Sequence, residues 1–333
     1  MKLGVIGEPC IDYIQRDGTK ANKQLGGILY STVSLAIIAG KSDEVYPIFN
    51  LGEDKYYSII LFLSKFKNIK FDYVYKCKHK TRIVKLIYKS GSSTPDCLSA
   101  RGSEQVCVEN NDKQTYDREE SSTEPTLPLG FEQVKPSLEM VDGLLINMVS
   151  GIDITLETLS SIRQKFKGYI HMDLHNVVMK TEKDGGRHRA PIDNWLDWCC
   201  NCDTLQMNEA EILVLSGGEG LNEYETAEKI LKTKKVKSVV VTRGNQGVSM
   251  YMHENKSFSG EKYFELDKID LPPIEIKHFK DSTGCGDVLG SAFFYKSLNN
   301  NLTNIPVSLN YANKLASRNA ELMGVEEMEK LIG

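Results

Sequence analysis

The 333-residue chain has no excess of either charge: 41 basic residues stand against 45 acidic ones, a formal net charge of −4. That balance excludes a general electrostatic attraction to nucleic acid or an anionic membrane and leaves a small molecule as the expected partner. No window approaches the roughly 20 consecutive apolar residues of a membrane span. The opening Met1-Lys2-Leu3-Gly4-Val5-Ile6-Gly7-Glu8 carries one charge and a very short apolar run, cut by Glu8 and Asp12, which is no signal peptide. A cytoplasmic location is the expectation. Two familiar phosphate-binding sequences are also missing: there is no Gly-x4-Gly-Lys-Ser/Thr, and no Gly-x-Gly-x-x-Gly follows the first apolar run. The chain lacks a fixed-period repeat and a glycine- or proline-rich linker, so one domain is expected over residues 1–333. Its eight cysteines are scattered, and a chain of this size needs no disulfide staples. The cluster Cys199-Cys200-Asn201-Cys202 has no second pair at zinc-site spacing, so free thiols are expected.

What is present is a 41% hydrophobic composition, enough for a sizeable core. Short apolar runs at 3–7, 45–49, 143–146, 169–172, 204–207 and 237–241 alternate with segments of helical period, clearest at 56–66 and 155–166. This pattern predicts an α/β fold with a largely parallel sheet and helices on both faces. Residues 31–38 read as a helix stopped by Gly40. Residues 81–88 are rich in β formers with charges interleaved, which predicts part of a small antiparallel sheet outside the main core. The stretch from 90 to about 128, rich in Ser, Glu, Asn, Asp and Thr, reads as a long loop or partly disordered insertion.

The chemistry gathers near the C-terminus. Asp281-Ser282-Thr283-Gly284-Cys285-Gly286-Asp287 leads into the apolar, small-residue segment 288–295, a predicted buried helix. Its glycines therefore sit at a helix N-terminus, where bare N–H groups and the helix dipole suit a phosphate. Asp287 is then an oddity, because a carboxylate repels a neighbouring phosphate. It has two readings: a proton acceptor for an attacking hydroxyl, as phosphoryl transfer requires, or a first-turn acid that stabilises its own helix.

The run 281–287 resembles the C-terminal signature of the pfkB, or ribokinase-like, family of sugar and nucleoside kinases, usually Asp-Thr-x-Gly-Ala-Gly-Asp, with cysteine at 285 in place of alanine. Further stretches match in the family's order: Gly7-Glu8 with Asp12, Gly26-Gly27, Asn208-Glu209-Ala210-Glu211, Thr242-Arg243-Gly244 with Gly247, and Ala312-Asn313. The resemblance implies a ribokinase-like fold with a small β lid, contributed by about 12–27 and 72–130 and carrying a polar insertion at about 90–126. It implies that Asp287 is the general base and that the backbone of Gly284, Cys285 and Gly286 holds the transferring phosphoryl group. ATP would be bound by Asn208, Glu211, Thr242, Arg243, Gly244, Gly247 and Asn313. Mg²⁺ would be ordered by Glu211 through water, and a monovalent cation, K⁺, would lie beside Asp281. Asp12, Gly26, Gly27 and Asp173 would contact the acceptor.

For several of these the residues alone leave a plainer reading open: a helix cap with a surface acid for Asn208 and Glu211, ordinary turns for the glycine pairs. Arg82 and His175 each have two readings: a contact to the acceptor, or the plainer role, a solvated strand charge for Arg82 and a loop hydrogen-bonding residue for His175. Two departures, Ser31 where ribokinase-type members have asparagine and Asp173-Leu174-His175-Asn176 where many have Asp-Pro-Asn, fall on the acceptor side. The expectation is an ATP-dependent kinase of a sugar or polyol hydroxyl. A nucleoside kinase and a non-catalytic ligand-binding member are the alternatives, and a homodimer through the lid is compatible with all three.

Overall fold

A strand that is apolar at consecutive positions must be covered on both faces, and the first apolar run sets that pattern. The computed structural model describes residues 1–16, 19–88, 118–258 and 261–332. In it β1 (Lys2–Ile6) buries Leu3, Val5 and Ile6 completely. Leu3 and Val5 join one apolar cluster and Ile6 another. The strand thus lies between two cores.

In chain order the other elements are β2 (Pro9–Arg16), β3 (Asn22–Gly27), α1 (Ile28–Ala39), β4 (Glu44–Gly52), α2 (Tyr56–Leu63), β5 (Tyr73–Cys77), β6 (Arg82–Tyr88) and β7 (Arg118–Ser122). Then come α3 (Phe131–Val134), β8 (Gly143–Asn147), α4 (Leu156–Lys165), β9 (Tyr169–Asp173), β10 (Met179–Thr181), β11 (Arg187–Arg189), α5 (Trp195–Cys199), β12 (Thr204–Asn208), α6 (Glu209–Leu215) and α7 (Glu223–Lys232). The chain ends with β13 (Ser238–Thr242), β14 (Val248–Phe258), β15 (Glu261–Leu271), α8 (Cys285–Asn299) and α9 (Ile305–Asn319).

Nine strands form the main sheet in the order β15-β14-β13-β12-β9-β8-β1-β4-β5. From β13 to β5 neighbours are parallel, while β14 and β15 add an antiparallel edge. Helices α1, α2, α8 and α9 contribute to the apolar cluster on one face, and α4, α6 and α7 to that on the other. The sheet is open and covered on both sides, the expected α/β architecture. The chain runs from β1 toward β4 and β5 on one side and from β8 toward β13 on the other, so the winding reverses between β1 and β8. At such a reversal the loops after the strand C-termini part and leave a crevice.

A second sheet, in the order β3-β2-β6-β7, lies over that crevice. It is not the purely antiparallel sheet expected, because β2 and β6 pair in parallel. Between β3 and β6 the chain threads through α1, β4, α2 and β5, the kind of long crossover that parallel pairing needs. β7 falls inside the stretch read as loop or insertion. Its Arg-Glu-Glu-Ser-Ser sequence lacks β-type alternation because it is an edge strand, paired in this sheet with β6 alone. Thr126, also in that stretch, is buried. Residues 89–117, the bulk of the expected insertion, lie outside the described residues.

Helix α1 is buried on nearly every side, since it is wedged against the main sheet, α8 and β3. It is bounded by Gly27 and Gly40, at φ of 63° and 65°, values that favour glycine. Among the described residues no helix is long and apolar enough to cross a membrane. Cys10, Cys77, Cys199, Cys200, Cys202 and Cys285 are free thiols.

Candidate active site

The polar residues of the site are the last residues of adjacent strands. Asn147 ends β8, Asp173 ends β9, Asn208 ends β12 and Thr242 ends β13. Register places Asn147 opposite Asp173 and Asn208 opposite Thr242. A parallel sheet in register thereby aligns four polar side chains along one edge, above strands that are mostly apolar.

Facing this edge is the N-terminus of α8. Gly284 is its cap, with φ 81°, and a Cβ there would come within 2.1 Å of Tyr30 Cδ1. Both the conformation and the close approach require glycine. Gly286 differs: a Cβ there would meet only Gln206 Nε2, at 3.9 Å. The space above Gly286 is open on the protein side. Gln206 Nε2 donates to Asp173 Oδ2 at 2.8 Å and to the Gly286 carbonyl at 2.9 Å, and so fixes the helix start against the sheet edge.

Asp287, in the first turn of α8, turns one carboxylate oxygen to Asn147 Nδ2 at 2.6 Å and Ser31 Oγ at 3.3 Å, both of which donate to it. Desolvation raises its pKa to about 6, against the pull of His175 and the bonds from Ser31 and Asn147. Asp12 is close enough for the two carboxylates to hinder each other's ionisation. Burial, with Asp287 and Glu120 adding, brings Asp12 to about 6 despite its Cys10 bond and Arg82. Cys10 Sγ donates to Asp12 at 3.1 Å. A Cβ on Gly26 would lie 1.9 Å from Asp12 Oδ2, so the glycine lets β3 pass directly beside that carboxylate.

Asn208 caps α6. Its Oδ1 accepts from the N–H groups of Ala210 and Glu211, and the Glu211 carboxylate accepts in return from Asn208 N and Nδ2. The helix-cap reading of this pair is therefore present in the structure, but Glu211 is buried rather than a surface acid. His175 Nδ1 lies 3.6 Å and Arg189 Nη2 3.8 Å from Glu211. Asp173, His175 and Glu211 bring ligand-type atoms within 4.8 Å of one another. Since both Glu211 oxygens already accept from Asn208, the set suits a hydrated cation such as Mg²⁺, held through its waters.

His175 stands at φ 38°, an unusual backbone for a non-glycine residue. Burial opposes its charge, but Glu211, Asp173 and Asp287 outweigh that and raise its pKa. It is thus more than a loop residue satisfying one hydrogen bond.

At the far end of the edge, Gly247 (φ 90°) could not carry a Cβ, which would meet the Leu271 carbonyl at 2.1 Å. Arg243 N donates to Gly247 O, and Asn313 Nδ2 reaches the Pro272 carbonyl at 3.0 Å, bringing this turn and α9 to one place. The Arg243 guanidinium is held by Glu223, Ser249 and the Val241 carbonyl, so its side chain is committed to the protein. Asp281 receives Arg16 at 2.8 Å.

Arg82 corrects the sequence reading. It is 2% exposed, not solvated, and lies 3.7 Å from Glu8 while donating to the Val149 carbonyl and Ser122 Oγ. A guanidinium tolerates burial here because a carboxylate and neutral oxygens surround it. Sequence reasoning did not single out Asn147, Gln206, Arg16 or Arg187. For Asn147 and Gln206 a signal existed: a polar residue at or near the end of an otherwise apolar strand. For Arg16 and Arg187 none did, since their partners are distant in sequence.

Residues 188–330 match the model of the pfkB family carbohydrate kinases. No curated protein matches the sequence. Among solved structures, the Thermotoga maritima ribokinase is similar at 20% identity and TM-score 0.66, with 97% of this chain and 94% of that chain covered. An Arabidopsis thaliana ribokinase solved with ribose and ATP superposes at 16% identity and TM-score 0.64, covering 98% and 94%. A Burkholderia thailandensis nucleoside kinase solved with inosine does so at 11% identity and TM-score 0.68, covering 98% and 93%. At such identities the structures speak for the fold, which they share over nearly its whole length. Together they give the chain a ribokinase-like fold whose C-terminal part, residues 188–330, is similar to the pfkB family carbohydrate kinases.

Proposed function

We propose that the protein transfers the γ-phosphoryl group of ATP, with Mg²⁺, to a hydroxyl of a sugar or polyol, acting as a single domain over which the second sheet forms the lid. The observation that carries this reading is Asp287, a carboxylate at the helix N-terminus whose pKa lies at about 6, facing Asp12 across the crevice. An isolated first-turn acid would simply complement its helix dipole. This one is desolvated and aimed by Asn147 and Ser31, as a base that must accept a hydroxyl proton should be.

In the mechanism that follows, Asp12 holds an acceptor hydroxyl beside Gly26 and Gly27, with Asp173 across the crevice. Asp287 takes the proton from the attacking oxygen as that oxygen forms its bond to the γ-phosphorus and the bond from that phosphorus to the β,γ-bridging oxygen breaks, releasing ADP. The N–H groups of Gly284 and Gly286 face the transferring phosphoryl oxygens, where fixed dipoles need no reorganisation as charge develops; the Cys285 N–H, expected to join them, donates instead to the Ser282 carbonyl at 3.1 Å. Glu211 and Asn208 would hold a hydrated Mg²⁺ through its waters, and the ion would supply neutralisation of phosphate charge. Thr242, the backbone of Arg243, Gly244 and Gly247, together with Asn313, flank the rest of the nucleotide.

The experiment is an assay of phosphoryl transfer over a panel of sugars, polyols and nucleosides, with ATP and pyrophosphate as donors, comparing wild type with Asp287→Asn. Turnover of a sugar or polyol with ATP, lost in the variant, is the expected result. Preference for a nucleoside would move the assignment to the nucleoside kinases. Binding without turnover on every donor would overturn the catalytic reading.

A further inference from the structure

The family resemblance puts a monovalent cation beside Asp281, and the residues present do not fit one. Cations of that kind are held by several oxygens that replace their hydration shell. Here those oxygens are engaged by protein donors. Asp281 Oδ1 accepts from Arg16 Nη2 at 2.8 Å, from Thr283 N at 3.0 Å and from Thr283 Oγ1 at 2.8 Å. The Thr283 carbonyl accepts from Asn319 Nδ2 at 3.0 Å, and the Ala320 carbonyl from the N–H groups of Lys280 and Asp281. The positive charge facing the 3%-exposed Asp281 is already a guanidinium, 29% exposed and seated on Oδ1.

We propose that Arg16 is the built-in cation of this turn: a positioning residue that neutralises Asp281 and orders the 281–284 backbone, so that turnover needs no monovalent ion. Arg16 is the last residue of β2, in the sheet that lies over the crevice, and Asp281 opens the turn leading to Gly284. The ion pair therefore ties the seating of that sheet to the shape of the phosphate-facing backbone. A loosely held metal ion would neutralise the carboxylate without that link. The proposal rests on the kinase reading only for its effect on turnover.

The test compares wild type, Arg16→Ala and Arg16→Lys in K⁺, Na⁺ and tetramethylammonium salts at equal ionic strength, by turnover and by thermal melting. Wild type should work equally well in all three, within about twofold, as expected when bulk screening is held constant and no specific ion is required. Arg16→Ala should lose about 10²-fold in kcat, the scale of a misplaced catalytic element, with acceptor KM little changed. Arg16→Lys should recover part of that loss, since it keeps the charge but not the planar fork. Wild-type activity that rises about tenfold in K⁺ over tetramethylammonium, the scale of a charge-assisted contact, would overturn the proposal. So would an Arg16→Ala variant of full rate, or a loss confined to acceptor KM, which would make Arg16 a substrate contact.

Melting decides the matter apart from catalysis. A wild-type melting temperature equal in K⁺ and tetramethylammonium supports the built-in cation, and one that K⁺ raises over tetramethylammonium overturns it. If no donor and acceptor pair is turned over, the proposed function falls while the melting comparison still stands.

Discussion

The two ends of the crevice differ in how much of them the family model matches. The family model begins at His188 and runs to Lys330, taking in Asn208, Glu211, the 242–247 turn and the whole of 281–287. Everything before it, including Asp12, Gly26, Gly27, Ser31, Asn147, Asp173 and His175, lies outside the match. The fold nevertheless continues across both parts. A phosphate donor presents the same atoms to every kinase, so the residues that hold it can stay alike. An acceptor varies, and the surface that meets it varies too, provided strand ends still converge on Asp287.

That contrast can be broken or sharpened by mutation. The largest effect should come from Asp287→Asn, which keeps the shape and removes the base: turnover should fall roughly 10² to 10⁴-fold with any acceptor. A variant of wild-type rate would remove Asp287 from the chemistry. Next come the two glycines. Gly284→Ala should damage folding and activity together, because its φ of 81° and the 2.1 Å approach to Tyr30 tolerate no side chain. Gly286→Ala should fold and melt like wild type, having only a 3.9 Å neighbour, and show its cost in donor KM and kcat. Equal melting losses in the two would show that the open space at Gly286 is not a ligand's.

On the acceptor side, Asp12→Asn should raise acceptor KM by about 10-fold or more, the scale of one charged hydrogen bond, and leave donor KM alone. A change in donor KM instead would erase the division between the two ends.

A smaller effect separates Asn147 from mere packing. The acidic limb of the pH–rate profile should lie near the Asp287 value of about 6, rate rising as the base ionises. Asn147→Leu removes a donor that favours the ionised form, so the limb should move to higher pH. An unmoved limb would separate the titration from Asp287.

The smallest effect is on stability. Glu8, at about 7, and Asp12 and Asp287, at about 6, are all raised, mainly by burial. A raised carboxyl holds its proton more tightly in the folded chain, so its contribution is full below the unfolded value near 4 and is lost as pH rises through the folded value. Melting temperature should therefore decline between about pH 4 and pH 7. Asp287→Asn should melt a few degrees above wild type at pH 8, with the gap narrowing below pH 6 and closing near pH 4. A gap that widens toward low pH would reverse the sign.

How much of this was legible in the sequence follows the same division. Parallel strands written as runs such as Val239-Val240-Val241 declare themselves, and the glycine-rich helix start at 284–286 states its chemistry locally. β7 was hidden because an edge strand needs no apolar face, and the parallel β2–β6 pair because pairing across a long crossover leaves no local mark. Arg82 looked solvated since its partners, Glu8, Val149 and Ser122, come from three separate segments. Asn147, one residue past an apolar run, needed only attention to strand ends.

Those three partners of Arg82 have a mechanical meaning. Glu8 and the Val149 carbonyl join the small sheet to the body near the start of β6, while Ser122 braces Arg82 from β7 within the sheet, and the Thr126 N–H on Glu8 and the Arg187 bonds to Glu120 and the Ser150 carbonyl add to the same root. A plate clamped along one margin behaves as a cantilever, stiff at its base and compliant toward its free end. Arg16 lies at that distal end, six registered pairs from Cys10 opposite Arg82. One ion pair there, with Asp281, holds the plate down with the whole length of the β2–β6 ladder as its lever arm.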